Sequence, residues 1–177
     1  MLWSLARASI ENPPLETAVC AFDNKRMATK SLALHRFWVN YGGRPWLEYR
    51  LQADRPAVKL KKYTLTSAND FPEQEPLHIK VECWDDSNRT WAVLDEQDNI
   101  NFRRRGHQLE FEVAPSNNHA SRRFRLHILN VRDPRCAKGV QLSGWHLYAT
   151  EGSMRVTKRV RKEDGLKMKT QKKRQAQ

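Results

Sequence analysis

The residues equipped for chemistry are six histidines, three cysteines and a few adjacent acids. His35, His78, His107, His119, His127 and His146 show neither the His-Glu-x-x-His of a zinc protease nor the close pairing of a structural zinc site, so no metal is expected. His107 and His119 are the one pair that a sandwich fold could bring together. Cys20, Cys83 and Cys136 form no Cys-x-x-Cys and are odd in number, which fits a reducing compartment better than a disulfide-stapled module. Cys83 falls in a strand pattern and reads as a small buried hydrophobe. Asp85-Asp86 and Asp95-Glu96 read as hairpin-turn residues. No Gly-x-Ser-x-Gly, phosphate loop or nucleophile-and-base spacing occurs, and seven glycines leave little material for one. The chain is therefore read as non-enzymatic and without a cofactor.

Charge is the stronger signal. The formal net charge is +12, and 177 residues suit one domain with one core. The stretch from 155 to 177 carries ten Lys or Arg against Glu163 and Asp164, so +8 of the +12 lies there. Arg155, Lys158, Arg159, Arg161, Lys162, Lys167, Lys169, Lys172, Lys173 and Arg174 are candidate ligands of an anionic polymer, acting by counterion release. RNA and the acidic surface of tubulin both fit. A membrane does not, because the thin apolar stripe of Val156 and Val160 has no aromatic anchor. Arg103, Arg104 and Arg105, with Arg122 and Arg123, form a secondary basic patch. Of six tryptophans, Trp46, Trp91 and Trp145 fall in strand patterns and are expected in the core. Trp3, Trp38 and Trp84 are less constrained and are candidate anchors of a protein interface.

These residues must be carried by strands. Trp46 to Leu51 alternates, with Leu47, Tyr49 and Leu51 on one face. Val58 to Thr66 ends in the β-branched run Tyr63-Thr64-Leu65-Thr66, and Ser67-Ala68-Asn69-Asp70 stops it. Pro72 and Pro76 are expected to keep the next loop out of a helix and out of a central strand. His78 to Trp84, Thr90 to Leu94, Leu109 to Val113, Phe124 to Leu129, Val140 to Leu142 and Trp145 to Tyr148 follow, with turn residues about every ten positions. This rhythm predicts an all-β antiparallel sandwich or jelly roll. A basic extension, partly helical or extended, follows it. The acid-free start MLWSLARASI has the flavour of a mitochondrial presequence.

The run Tyr63-Thr64-Leu65-Thr66-Ser67-Ala68-Asn69-Asp70, with Trp91, Leu94 and Asp95 after it, resembles the discoidin or coagulation factor type C (F5/8 type C) domain. Glu11-Asn12-Pro13-Pro14, Ala21-Phe22-Asp23-Asn24, Trp46 to Leu51, Phe124 to Ile128 and Gln141-Leu142 extend the resemblance collinearly over residues 8 to 150. It implies a galactose-binding-like jelly roll. Such domains usually read Arg-Asp-Pro where this chain has Gln74-Glu75-Pro76. Calcium-binding members use the loop holding Asp23 and Thr29, plus a Glu near the last strand; here that position is Gly144, and Ser31 replaces a Trp. The loop is read as degenerate and metal-free.

The sequence thus divides into an N-terminal segment (1–7), a discoidin-like domain (8–150) and a basic tail (151–177). It is read as a structural adaptor subunit of a large intracellular assembly, docking on protein through the jelly roll. The tail would anchor on RNA, as in a mitochondrial ribosome, or on a microtubule of a cilium or flagellum. A lectin-like module with a degenerate calcium site is the alternative, and a glycan partner is disfavoured.

Overall fold

A computed structural model describes residues 5–9, 17–22, 31–32, 45–116 and 119–151. Its strands are β1 (Leu5–Ala8), β2 (Ser31–Leu32), β3 (Trp46–Arg50), β4 (Val58–Thr66), β5 (Pro76–Asp85), β6 (Thr90–Gln97), β7 (Gln108–Glu112), β8 (Ala120–Ser121), β9 (Arg123–Val131), β10 (Val140–Gln141) and β11 (Gly144–Glu151). All pairings are antiparallel. One sheet runs β1-β3-β9-β5-β6, a second runs β11-β4-β7 with β8 also on β4, and β2 pairs with β10. Two sheets facing each other across one apolar layer make a β-sandwich.

Alternation explains the core. Leu47, Leu126, Val81, Ile79, Ile128 and Cys83 point inward from the large sheet, and Tyr63, Leu65 and Trp145 from the smaller one, all at most 1% exposed. Burying each aliphatic of this size contributes about 1.5–3 kcal/mol. Burial pushes the Cys83 thiol up to about 11, so it behaves as the inert hydrophobe expected. The two sheets are also joined by a polar bond: the Tyr63 hydroxyl donates to Asp95 Oδ2 at 2.6 Å. Burial, then that bond, holds the phenol far above its ordinary titration range.

Several expectations are corrected. Pro76 does not stay out of a central strand; it is the first residue of β5, which is bonded on both sides. A first position tolerates the missing N–H. Pro72 opens a single 3-10 turn, Pro72–Gln74. Asp95 and Glu96 lie within β6 rather than at a turn. β1 begins at Leu5, so the sandwich includes residues assigned to the N-terminal segment, and β11 carries it to Glu151.

Trp46 and Trp91 are not core residues. Leu47 takes the inward position, so the period of two sends Trp46 and Glu48 outward. There the large sheet carries a ladder of rings and cations. Arg125 lies 4.5 Å from the Trp46 ring and 4.0 Å from Trp91, and Arg123 lies 4.9 Å from Trp84 and 5.2 Å from Trp91. Glu48, buried beneath, accepts from Arg123 Nε at 3.0 Å and Arg125 at 2.7 Å. Glu82 pairs with Lys80 at 2.8 Å and His127 at 2.9 Å. Stacked guanidiniums cover the indoles and the acids neutralise them, which lets one sheet face hold three tryptophans with no second apolar layer among the described residues.

Two outcomes follow. Tyr63→Phe should destabilise the fold by about 1–3 kcal/mol in urea titration, since Asp95 loses a donor between the sheets. Burial alone would raise the Glu48 carboxyl, but Arg125 and Arg123 outweigh it and hold the group below its ordinary value. Stability from this group is therefore full above the ordinary carboxylate range and lost as pH falls through the lower folded value. Glu48→Gln should cost about 2 kcal/mol at neutral pH and flatten the acid side of the stability profile.

Candidate functional site

The loops at the far end of β4 are held together from beneath. Glu75, 1% exposed, sits between two guanidiniums from separate loops: Arg105 at 2.6 Å and Arg132 at 3.0 Å. Arg132 also donates to Asn101 Oδ1 at 2.7 Å and to the Phe102 carbonyl at 2.9 Å. The Ser67 hydroxyl donates to the Arg104 carbonyl and accepts from the His107 N–H, both at 3.1 Å. Asp133 N–H donates to the Glu73 carbonyl at 3.1 Å. Loops 67–75, 98–107 and 132–139 are thereby one rigid platform, the arrangement that lets irregular segments carry function.

Phe71 stands at the tip of that platform. Its φ of 39° and ψ of 68° place it in the left-handed region, although it is aromatic and precedes a proline. Both features disfavour this backbone. The residue is 51% exposed. Asn69 is exposed on the same loop, and Arg103 and Arg104 are exposed on the neighbouring one. A strained, half-exposed aromatic residue on a platform that also exposes an amide and two guanidiniums is arranged for contact with a ligand. Sequence reading singled out Arg103 and Arg104 as charge alone and did not single out Phe71. The signal was an aromatic set among turn formers in Asn69-Asp70-Phe71-Pro72.

The other sequence-selected residues scatter. Arg105 is committed to Glu75, and Arg123 to Glu48 and two indoles. Arg122 donates to the Ala53 carbonyl at 2.9 Å, at the end of the sandwich opposite Arg103 to Arg105. The five arginines therefore form no single patch. His107 and His119 are likewise at opposite ends and do not meet. Trp84 is half-buried within the ladder. Trp3, Trp38, Asp23, Thr29 and the basic residues from Arg155 to Arg174 lie outside the described residues.

The calcium expectation can be tested at one position. A Cβ on Gly144 would lie 3.0 Å from the His146 ring and 3.2 Å from Thr66 Oγ1. A carboxylate at this position would need the His146 ring or Thr66 to give by a few tenths of an ångström, and Asp23 and Thr29 of the same expected loop lie outside the described residues. Among the described residues no three His, Cys, Asp or Glu come together as a metal site.

No family model matches the chain. It is 30% identical over 143 residues to the peptide-N(4)-(N-acetyl-beta-glucosaminyl)asparagine amidase of Arabidopsis thaliana, a match covering 80% of this chain and 18% of that protein. The chain therefore spans about a fifth of the length of this relative. The F5/8 type C domain of a Bacteroides fragilis protein superposes with a TM-score of 0.65 at 15% identity, covering 84% of this chain and 93% of that one. The carbohydrate-binding module CBM32-5 of Clostridium perfringens, solved with GalNAc-beta-1,3-galactose, gives 0.61 at 13% identity, covering 82% and 95%. The expectation that disfavoured a glycan partner is overturned, because structures of this same fold are seen holding glycans. The RNA or tubulin expectation rests on the basic tail, which lies outside the described residues. The chain has the galactose-binding-like fold, the discoidin-type sandwich of F5/8 type C domains and family 32 carbohydrate-binding modules.

Proposed function

We propose that this chain is a carbohydrate-recognition module without catalytic activity of its own, and that it binds sugar through the platform that bears Phe71. The left-handed, solvent-facing Phe71 carries the reading. Sugars are recognised by an aromatic ring against the C–H face of a pyranose, with planar amides or guanidiniums reading the hydroxyls. Asn69 on the same loop and the exposed Arg103 and Arg104 on the neighbouring one supply such groups. The ion pairs beneath keep the loops in place before the ligand arrives, so little ordering cost falls on binding.

Likeness to glycan-bound modules supports the reading, as does the stretch shared with an amidase whose name specifies N-acetyl-beta-glucosaminyl asparagine. A module of this kind would hold the glycan of a glycoprotein while chemistry takes place elsewhere. The two described histidine–carboxylate pairs, His78 with Glu96 and His127 with Glu82, engage no nucleophile.

Isothermal titration of the full chain against GalNAc-beta-1,3-galactose and N-acetylglucosamine-terminated glycans should show binding. Phe71→Ala should weaken it about tenfold, a loss of about 1.4 kcal/mol, and leave the melting temperature unchanged, since the side chain is largely exposed and alanine keeps the same Cβ. Affinity unchanged in this variant would remove the site from the loop platform, and no binding to any glycan would end the proposal. Chelation should leave binding intact. Gly144→Glu should lower stability by about 1–3 kcal/mol through overpacking against His146 and Thr66, without conferring a calcium response.

A further inference from the structure

The outer surface of the four-stranded sheet holds a cleft of ≈ 530 Å³, distant from the Phe71 platform. The volume is within the roughly 300–1,000 Å³ typical of small-ligand sites. Its walls include Lys59, Lys61 and Lys62 of β4, the segment from Glu112 at the end of β7 to Pro115, and Tyr148 of β11. Strand register explains how consecutive lysines come to line one cleft. Tyr148 pairs with Lys62 and Ala149 with Leu60, so Lys61 is the extra residue of a β-bulge. A bulge breaks the period of two and re-aims side chains, which is why such features recur beside binding sites. The Val113 N–H donates to the Lys61 carbonyl at 2.8 Å and fixes the bulge in place.

The chemistry of the walls is one-sided. Lys62 is held 2.9 Å from Glu110, with its ammonium 5.1 Å from the centre of the Tyr148 ring. Among the described residues, Lys59 and Lys61 have no carboxylate partner. Among the described residues, Glu112 is the one acid lining the cleft, against three lysines. Tyr148 is 45% exposed. Unpaired ammonium groups call for an anion, and a single exposed ring beside them calls for one flat apolar face.

We propose that this cleft is a second saccharide site, selective for a sugar bearing a negatively charged substituent such as a sulfate or carboxylate. It rests on the carbohydrate reading for the sugar part of the ligand; the lysines supply the charge selection independently. The cleft volume accommodates one or two sugar units, and Tyr148 packs against one of them while Lys59 and Lys61 take the anion. Extended nucleic acid is a poorer fit, because strand binding uses several stacking rings in succession and this cleft offers one.

The test uses the full chain at low salt, with calorimetric titration of a singly sulfated galactose disaccharide, its unsulfated counterpart and a nucleoside monophosphate. The sulfated sugar should bind, and Lys59→Glu/Lys61→Glu should weaken it at least tenfold, whereas Lys59→Arg/Lys61→Arg keeps it. Tyr148→Ala should weaken it several-fold, and Phe71→Ala should leave it unchanged. Melting curves of each variant check that these surface changes leave the fold intact. No binding of the sulfated sugar, binding indifferent to charge reversal, or tighter binding of the nucleotide overturns the proposal. If the neutral sugar binds through Phe71 and the sulfated one does not enter the cleft, this inference alone fails. If only the sulfated sugar binds, through the lysines, the Phe71 platform alone fails.

Discussion

A carboxylate with 1% exposure cannot remain charged in a protein interior unless cations replace the water it has lost. Glu75 meets that condition with Arg105 and Arg132, each delivered by a different loop. The requirement acts in both directions. The acid fixes where the two arginines must be, and so fixes the ends of loops 98–107 and 132–139 against loop 67–75. Removing it would leave two guanidiniums facing each other, and breaking a buried pair in this way typically costs about 3–5 kcal/mol. This neutralisation joins the three loops at one point, and the Ser67 and Asp133 bonds add to it.

The rest of the sandwich solves the same problem with different materials. Between the sheets, apolar side chains exclude water, and the Tyr63–Asp95 bond is among the polar links that cross the layer. Outside the large sheet there is no covering layer among the described residues, and alternate indoles and guanidiniums do the covering themselves. Glu48 and Glu82 neutralise that layer from below. Cation, ring and acid therefore repeat at the loop end, on the outer face and in the lysine cleft.

The fold was legible because strand alternation is a local property and turn formers punctuate it. Residues Trp46 to Leu51 and Val58 to Thr66 announce their period directly, and the Tyr63 to Asp70 run carries the resemblance to discoidin domains. Facing was harder. Alternation places Trp46 opposite Leu47 without saying which of two apolar residues is inside, and only the arginines on β9 make the outward choice tolerable for Trp46 and Trp91. In the sequence Gln74-Glu75 is a departure from the Arg-Asp usual in discoidin domains. In three dimensions Glu75 is the acid the loops require, and Gln74 is buried beside it. That role depends on arginines distant in sequence, so no local pattern encodes it. The scatter of the arginines had the same cause: charge runs show in the sequence, and which end of a sandwich each reaches does not.

The place of β9 in the large sheet has a consequence for how the protein is made. β9 lies between β3 and β5, yet it comes after both β5 and β6 in the chain. Until residues 123–131 leave the ribosome, β3 and β5 each wait with an unsatisfied edge, and the hairpin of β5 and β6 is the one part of that sheet able to form between neighbours in sequence. Closing pairs so far apart along the chain is slow, and open edges attract strands from other molecules meanwhile. A nascent or truncated chain ending before Arg123 is thus the form most exposed to aggregation, and arrival of the ninth strand is the event that ends the risk.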